Sequence, residues 1–364
     1  MSGATSSHPR PNLPIGGIRL EPCLQRRAWG GTRLASMRAS ALQSPGDGPF
    51  GESWELADLP GSAAGNQTRV RSAEHLSISE LLATHASPLL GRSRRREDGR
   101  FPLLLKHLDA ATTLSVQCHP SPDYEAEHPE TSVKHEGWFV LDAEPGAVVH
   151  RGFRRHLDRA EIDAAIAEHR LHRELVAEPI AAGDFVWLPS GTCHALGGGL
   201  LVAEVQTPSD TTFRVYDWDR DDPNRPLHLE ETRLAVAGTA AADLPPIVHT
   251  ASTPPLLANG FRTWPLHQGE WFDIELIEAD AGTRLPVVTN GVAVAWMVLE
   301  GAWRSLRPGS DPAVNRGVST VLWPAEGGEE IVEFTEHTRF LRIPLAEEKK
   351  PSLPQARPGD AVPC

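Results

Sequence analysis

A turn that carries a histidine is the clearest sign of chemistry in this sequence of 364 residues. The stretch runs Gly183-Asp-Phe-Val-Trp-Leu-Pro-Ser-Gly-Thr-Cys-His194. Its segment Phe185–Leu188 is apolar and β-prone, which predicts a buried strand, and Pro189 and Gly191 predict a tight turn after it. The chain then returns as a second strand that aims His194 back at the first, which places an imidazole ligand inside a small β-barrel.

Further candidate metal ligands lie upstream of this turn. Gln117 and His119 are two residues apart in a predicted strand, so their side chains share one face and Cys118 points the other way. Glu136 stands at the head of the next predicted strand. A lone histidine is more often a core or surface residue than a ligand. Together with His194, however, these side chains supply two imidazoles, one carboxylate and one amide oxygen, a set that suits Zn²⁺ or another borderline divalent ion with open positions.

The turn is similar to the second motif of the cupins, a family of metal-binding β-barrels. Beyond the turn, the chain resembles the class I mannose-6-phosphate isomerases of the short bacterial type, and the likeness covers about residues 18 to 235. The segments that carry it are Glu21–Leu34, Gly51–Leu56, Pro102–Lys106, Leu114–Pro120, Lys134–Trp138, Leu141–Gly146, Gly183–His194 and Glu204–Arg220.

The resemblance implies a fold and an activity. The fold is mainly β, with two cupin-like, jelly-roll β-barrels and a small helical insertion. One Zn²⁺ per chain is implied at Gln117, His119, Glu136 and His194, of which the two histidines and the glutamate match most firmly. The implied reaction interconverts mannose 6-phosphate and fructose 6-phosphate through an enediol, and a divalent ion suits it because negative charge builds on two substrate oxygens.

The same resemblance implies residues that handle the substrate. It places the family's active-site arginine on Arg214 and a basic residue further along the chain on Arg220. Lys134 and Asp210 match a lysine before the metal glutamate and an aspartate before the arginine, and Ser115 matches a serine near the sugar phosphate. Phosphate needs cationic donors, for which Lys134 and Arg220 are the candidates. The sequence does not decide whether Asp210, Lys134 or a metal-bound water transfers the proton.

Two other functions remain open from the sequence. Two histidines and a carboxylate also form the triad that holds Fe(II) in oxygenases, and a sugar-phosphate-binding module without catalysis would carry the same residues. Arg214, Lys134 and Arg220 favour the isomerase over the oxygenase, because an anionic sugar requires cations. Without the resemblance, Arg214 and its charged neighbours fit a surface ion-pair ladder equally well.

Turn-forming residues and shifts in composition divide the chain into four regions. Residues 1–16 and 347–364 are rich in small and polar residues and are predicted to be disordered. Residues 17–240 are predicted to form the catalytic metal-binding cupin domain, and residues 241–346 a second, degenerate cupin-like domain. The second domain lacks a histidine after the equivalent turn at Pro324, which predicts that it holds no metal.

A helical insertion is predicted within the catalytic domain at about residues 156–178. Asp158 is placed to cap a helix on whose single apolar face lie Ile162, Ala165, Ile166 and His169. We expect this helix to be scaffold.

Composition restricts the classes of partner that the protein is expected to bind. The net charge of −13, from 35 basic and 48 acidic residues, argues against nucleic acid and acidic membranes. Four scattered cysteines favour a reducing cytoplasm, and Cys118 and Cys193 are predicted to be core residues. The longest apolar run, Val292–Leu299, is far short of the ~20 residues that span a bilayer. The expected protein is a cytoplasmic monomer or homodimer that acts on a small sugar phosphate.

Overall fold

The computed structural model describes residues 16–38, 48–61, 67–71, 76–220, 222–308 and 313–348. Most of the two segments that are predicted to be disordered lies outside these residues. Glu347, which the sequence assigned to the tail, pairs with Ser93 in an isolated β-bridge.

The fold is mainly β, as expected. In the first part of the chain the strands are β1 (Ile18–Glu21), β2 (Cys23–Gln25), β3 (Glu52–Leu56), β4 (Arg69–Val70), β5 (Leu104–Ala110), β6 (Val116–Cys118), β7 (Glu136–Ala143), β8 (Val148–Phe153), β9 (Leu175–Pro179), β10 (Asp184–Leu188), β11 (His194–Leu196), β12 (Leu200–Gln206) and β13 (Phe213–Tyr216). In the second part they are β14 (Val248–His249), β15 (Leu256–Ala258), β16 (Phe261–His267), β17 (Ile274–Ala279), β18 (Arg284–Pro286), β19 (Val294–Glu300), β20 (Ala302–Ser305), β21 (Asn315–Arg316), β22 (Ser319–Trp323), β23 (Ile331–Phe334) and β24 (Thr338–Pro344).

The helices are short. They are α1 (Arg33–Arg38), α2 (Ile78–Leu90), α3 (Pro122–Glu127), α4 (Arg159–Ala167) and α5 (Leu229–Ala235), with 3₁₀ turns at Leu171–Glu174 and Ala241–Asp243. Among the described residues, no helix has the length and apolar character that crossing a membrane requires.

Two antiparallel sheets face each other in the first unit. One has the strand order β14-β10-β7-β12-β5-β3-β2, and the other β13-β6-β11-β8-β9. Apolar side chains from both sheets meet between them, among them Leu108, Trp138, Val186 and Leu196. This packing holds the edges of the two sheets at a fixed separation, and the polar site described below lies between the same two sheets.

The second unit has the same two-sheet plan. Its sheets follow the orders β15-β16-β17-β24-β19-β22-β1-β4 and β18-β23-β20-β21. Three tryptophans pack in its interior, Trp296, Trp303 and Trp323, with ring centroids 5.0 to 6.5 Å apart. The large sheets of the two units pack face to face across the main apolar cluster, in which Phe139 and Phe185 of the first unit meet Ile274 and Leu341 of the second.

The first strand departs from the predicted division into domains. Although the sequence assigned residues 17–240 to the first domain, β1 pairs with β22, with Ile18 opposite Leu322. Ile18 is fully buried in the cluster between the units. The chain therefore begins, within the described residues, as a strand of the second unit.

The helical insertion is smaller than predicted. Asp158 accepts a hydrogen bond from the Glu161 backbone at 2.9 Å and so begins α4 as expected. Ile162, Ala165 and Ile166 are buried. His169 does not share their face, because α4 ends at Ala167 and His169 is exposed with a left-handed φ of 52°. The rest of the predicted insertion is the 3₁₀ turn and strand β9, which pairs with β8.

Candidate metal centre

Three neighbouring strands place polar side chains in one row. On the five-stranded sheet, Arg214 of β13 lies opposite Gln117 of β6, and Gln117 lies opposite His194 of β11. Residues directly opposite each other in antiparallel strands project from the same face of a sheet. The turn before β11 depends on Gly191, whose φ is +87° and whose Cβ, if present, would lie 2.9 Å from the Cβ of Ser121.

Two histidines and a glutamate converge at this row. His119 follows β6, and Glu136 begins β7 on the facing sheet. His119 Nε2 lies 3.2 Å from Glu136 Oε1, and His194 Nε2 lies 3.3 Å from Glu136 Oε2. The ligand atoms of all three lie within 4.8 Å of one another. All three side chains are buried.

The hydrogen bonds of the two imidazoles fix which nitrogen faces the cluster. His119 Nδ1 is 2.9 Å from the carbonyl oxygen of Thr211, and His194 Nδ1 is 2.9 Å from that of Thr192. A carbonyl only accepts, so each Nδ1 carries a hydrogen, and Nε2 is the nitrogen that each ring turns toward Glu136. This is the arrangement in which a backbone acceptor orients a metal-ligating histidine. Burial, the Lys134 ammonium and His194 lower the pKa of His119 to about 4, which keeps its ring neutral.

Glu136 completes a set of side chains that could hold a metal ion. Burial acts to raise the pKa of its carboxyl, but that pKa lies well below its usual range, and the adjacent Lys134 ammonium is the main cause of the lowering. The carboxylate Oε2 is buried without a hydrogen-bond partner. Two imidazole nitrogens and a carboxylate therefore converge, with the Lys134 ammonium 2.7 Å from Glu136 Oε1, and these ligand atoms fit a divalent ion.

Gln117 lies beside the cluster as a fourth polar group. Its Nε2 is 3.4 Å from His194 Nε2, and its Oε1 accepts from the Ser115 hydroxyl at 3.2 Å. Coordination through the amide oxygen requires the amide to turn over. The Ser115 hydroxyl allows this, because it can accept a hydrogen bond as well as donate one.

Comparison with known proteins agrees with this geometry. Residues 18–136 match the family model for the catalytic domain of type I phosphomannose isomerases. A probable mannose-6-phosphate isomerase from Bacillus subtilis is 30% identical over 323 residues, which cover 87% of this chain and 96% of that protein. The chain belongs to the mannose-6-phosphate isomerase family.

Two further relatives qualify the extent of the likeness. The mannose-6-phosphate isomerase of Streptococcus mutans is 36% identical over 58% of this chain, and the match spans 65% of that protein, just under two thirds of its length. The crystal structure of a mannose 6-phosphate isomerase from Bacillus subtilis superposes with a TM-score of 0.74 and 26% identity, over 90% of this chain and 99% of that one.

In this member of the mannose-6-phosphate isomerase family, the cluster opens into a polar cavity of about 300 Å³ between the two sheets. Several of the predicted site residues line it, namely Ser115, Gln117, Lys134, Glu136, Asp210 and Arg214. Lys134 is buried, with Nζ 2.7 Å from Glu136 Oε1 and 3.5 Å from His119 Nε2. Asp210 is exposed.

Arg220 has a different position from the other predicted substrate residues. It does not line the cavity described above. Its guanidinium donates to Asp217 Oδ1 at 2.7 Å and to the carbonyl of Thr113. These bonds fix the loop that follows β13 against the loop that precedes β6.

A second row of charged side chains lines the cavity on the seven-stranded sheet. Lys106 lies opposite Glu204, and Glu204 lies opposite Trp138. Lys106 Nζ is 3.5 Å from Glu204 Oε2, and Trp138 Nε1 donates to Glu204 Oε1 at 2.9 Å. Burial and the neighbouring Glu136 carboxylate raise the pKa of Glu204, whereas the pKa of Glu136 is lowered. The cavity thus holds two carboxyl groups whose pKa values are shifted in opposite directions, a pattern typical of acid–base sites.

Sequence reasoning assigned no role to Lys106, Glu204 or Arg225, although all three line the cavity. A signal existed for the first two. Each is a charged residue that directly follows an apolar run, Leu103-Leu-Leu and Leu200-Leu-Val-Ala respectively, and charged residues are almost never buried without a partner. Arg225 lies in an irregular loop, where the sequence shows no periodicity to mark it.

Proposed function

We propose that this protein is a metal-dependent aldose–ketose isomerase that interconverts mannose 6-phosphate and fructose 6-phosphate, with Zn²⁺ as its metal. The observation that carries the proposal is the convergence of His119, Glu136 and His194 beside a cavity that Glu136 lines together with several cations. The names of the relatives support the substrate, since each describes a mannose-6-phosphate isomerase.

The metal would be held by His119, Glu136 and His194, with Gln117 as a fourth ligand. A mixed nitrogen and oxygen set is typical of Zn²⁺ sites. When bound, the ion would supply Lewis-acid stabilisation of negative charge on a substrate oxygen. Because Glu136 is the only anionic ligand, the loaded site would keep a net positive charge, which favours an enediolate over the neutral sugar.

The reaction takes a proton from C2, returns one to C1, and moves a hydroxyl proton between the two oxygens. Lys134 is the buried ammonium nearest the ligands, since its Nζ contacts both Glu136 and His119. Burial opposes the charge on Lys134, but the carboxylates of Glu136 and Glu204 raise its pKa. It is therefore protonated, and its ammonium can donate a hydrogen bond to a substrate oxygen, but its raised pKa makes it a weaker acid than the lysine of lowered pKa that proton transfer favours. Asp210, exposed at the cavity, is the alternative carrier.

Ser115 and Arg214 are the residues to which we assign contacts with the substrate. Ser115 and Arg214 both line the cavity, on or beside the strand that carries Gln117. Lys134 and Arg220 remain the phosphate candidates from the sequence, but each already contacts a carboxylate, Glu136 at 2.7 Å and Asp217 at 2.7 Å respectively.

The decisive experiment is a coupled assay for fructose 6-phosphate formed from mannose 6-phosphate, on chelator-stripped protein with and without added Zn²⁺. We expect activity only with metal, and its loss in His194→Ala. Zinc binding without turnover would refute the isomerase. Oxygen consumption with Fe(II) would then identify the cupin oxygenase, and its absence would leave a sugar-phosphate-binding protein.

A further inference from the structure

Most cations of the cavity are already neutralised by a carboxylate of their own. Arg27 donates to Glu52 Oε2 at 2.7 Å. The two lysines do the same, since Lys106 pairs with Glu204 at 3.5 Å and Lys134 pairs with Glu136 at 2.7 Å. A dianionic ligand group therefore gains little net charge from these three.

Arg214 is the exception among the cavity cations. Its only side-chain hydrogen bond within the described residues runs from Nη1 to the carbonyl of Pro226, at 2.9 Å. Its Nε is buried and has no partner. Burial lowers the pKa of Arg214, and the adjacent positive charge of Arg225 lowers it further. An unpaired, partly buried guanidinium beside a second one is an arrangement that an anion would stabilise.

Arg225 is paired too, but its partner Asp217 also pairs with Arg220, so one carboxylate serves two guanidinium groups and one positive charge stays uncompensated. Arg225 presents one edge of its guanidinium to Asp217 and leaves another edge free. Nε donates to Asp217 Oδ2 at 2.8 Å, and Nη2 donates to Asp217 Oδ1 at 3.0 Å. Nη1 has no hydrogen-bond partner within the part of the chain that the structure describes. The bidentate pair fixes the plane of the guanidinium, and Arg225 lines the cavity.

The position of this pair matches the far end of the substrate. Arg214 lies on β13, the edge strand, two strands away from His194. With strands spaced ~4.8 Å apart, the two backbones are about 10 Å apart. A hexose 6-phosphate carries its reacting carbonyl and its phosphate at opposite ends of the carbon chain. A carbonyl held at the metal centre therefore directs the phosphate toward the edge where Arg214 and Arg225 lie.

We propose that Arg225, oriented by Asp217, binds the substrate phosphate together with Arg214. The proposal rests on the proposed function, and it assigns Arg220 a structural role, that of helping to hold Asp217 in place. In this arrangement Asp217 is a positioning residue. Its carboxylate contacts both arginines, and only Arg225 faces the cavity.

The test compares a phosphorylated with an unphosphorylated substrate. In Arg225→Ala, we expect kcat/KM for mannose 6-phosphate to fall about 10- to 100-fold, the effect of losing one charge-assisted hydrogen bond. We expect kcat/KM for mannose itself to change less than about twofold. Arg225→Lys keeps the charge but loses the fork that Asp217 holds, so it should recover only part of the loss. Equal losses for both sugars would overturn the proposal.

A binding measurement separates this subsite from the catalytic proposal. Calorimetric titration with inorganic phosphate should show binding to the zinc-loaded wild type that weakens about tenfold or more in Arg225→Ala. Arg233→Ala is the matched control, because Arg233 pairs with Glu230 on α5, is not a lining residue of the cavity, and should leave binding and turnover unchanged. Phosphate binding that depends on Arg225 in a protein without isomerase activity would support the subsite and refute only the function. Isomerase activity together with phosphate binding that does not depend on Arg225 would support the function and refute only the subsite.

Discussion

The imidazoles of His119 and His194 lie 5.0 Å apart between ring centroids, and each donates its Nδ1 hydrogen to a backbone carbonyl. The two residues reach this arrangement from different parts of the chain. The carbonyl acceptors belong to Thr211 and Thr192, so the backbone of two separate loops orients both rings in the same way. Both Nε2 atoms therefore turn toward Glu136, the orientation expected of metal-ligating histidines.

Removal of a ligand should abolish metal binding without unfolding the protein. Loss of a residue that only supports a metal ligand lowers metal affinity roughly 10- to 100-fold. We expect His194→Ala and Glu136→Gln, which remove a ligand itself, to lower zinc affinity by more than this. Metal content after dialysis, measured by mass spectrometry, checks this. His249→Ala is the control, because His249 is about half exposed and pairs with Asp184. Full zinc occupancy in His194→Ala would show that the ligand set is wrong.

Lys134 and Asp210 should differ in their effect on turnover. We expect Lys134→Met to retain zinc and to lose about 10²- to 10⁴-fold in kcat, the usual contribution of a proton-transfer group. Asp210→Asn should lose less than tenfold, because Asp210 is exposed and Lys134 is buried against the ligands. Steady-state kinetics on zinc-loaded protein decide between them. The opposite ranking would identify Asp210 as the carrier.

A histidine between the two units should make stability depend on pH. His267 stacks on Trp187, with ring centroids 3.5 Å apart, and burial, aided by His135, lowers the pKa of His267 from 6.5 to about 4. Between these pH values the unfolded chain binds a proton that the folded chain does not. The free energy of unfolding should therefore fall as pH drops from 6.5 toward 4.

The variant His267→Phe isolates this effect, because it keeps an aromatic ring on Trp187 and removes the titration. Urea midpoints at pH 7, 6 and 5, measured with chelator present, should fall more steeply in the wild type than in His267→Phe. Parallel pH dependence in the two proteins would show that His267 titrates normally in the folded state.

Gly137 should be required for the contact between the units. A Cβ at this position would lie 2.9 Å from Ile274 Cδ1 and 2.9 Å from Phe185 Cζ. We expect Gly137→Ala to destabilise the protein by about 1–3 kcal/mol through overpacking. Ile274→Val removes the Cδ1 atom, so the double variant should be more stable than the sum of the two single changes predicts, by about 0.5 kcal/mol or more. Urea denaturation of the four proteins measures this coupling, and strict additivity would exclude a direct clash.

The convergence of His119, Glu136 and His194 could be predicted because its signals are local. Strand alternation puts Gln117 and His119 on one face and Cys118 on the other, and the buried Cys118 and Cys193 pack in the core as expected. The turn at Gly191 sets the direction of the following strand. Each of these signals depends only on residues a few positions away in the sequence.

The charge partners could not be predicted in the same way. Lys106 meets Glu204 from a strand almost a hundred residues away in sequence, and Asp217 shares its two oxygens between Arg220 and Arg225. Which guanidinium faces the cavity depends on how a loop without periodicity folds back over an edge strand. No spacing in the sequence encodes that choice.

The sequence by itself predicted a mainly β chain, the candidate metal ligands His119, Glu136 and His194, and the family to which they point. Those features depend on side-chain alternation and turn chemistry, which act over short distances along the chain. Tertiary structure decided that β1 completes the second unit, that Glu136 and Glu204 have pKa values shifted in opposite directions, and that Arg225 lines the cavity instead of Arg220. Burial and charge depend on every group that packs nearby, and only the folded chain brings those groups together.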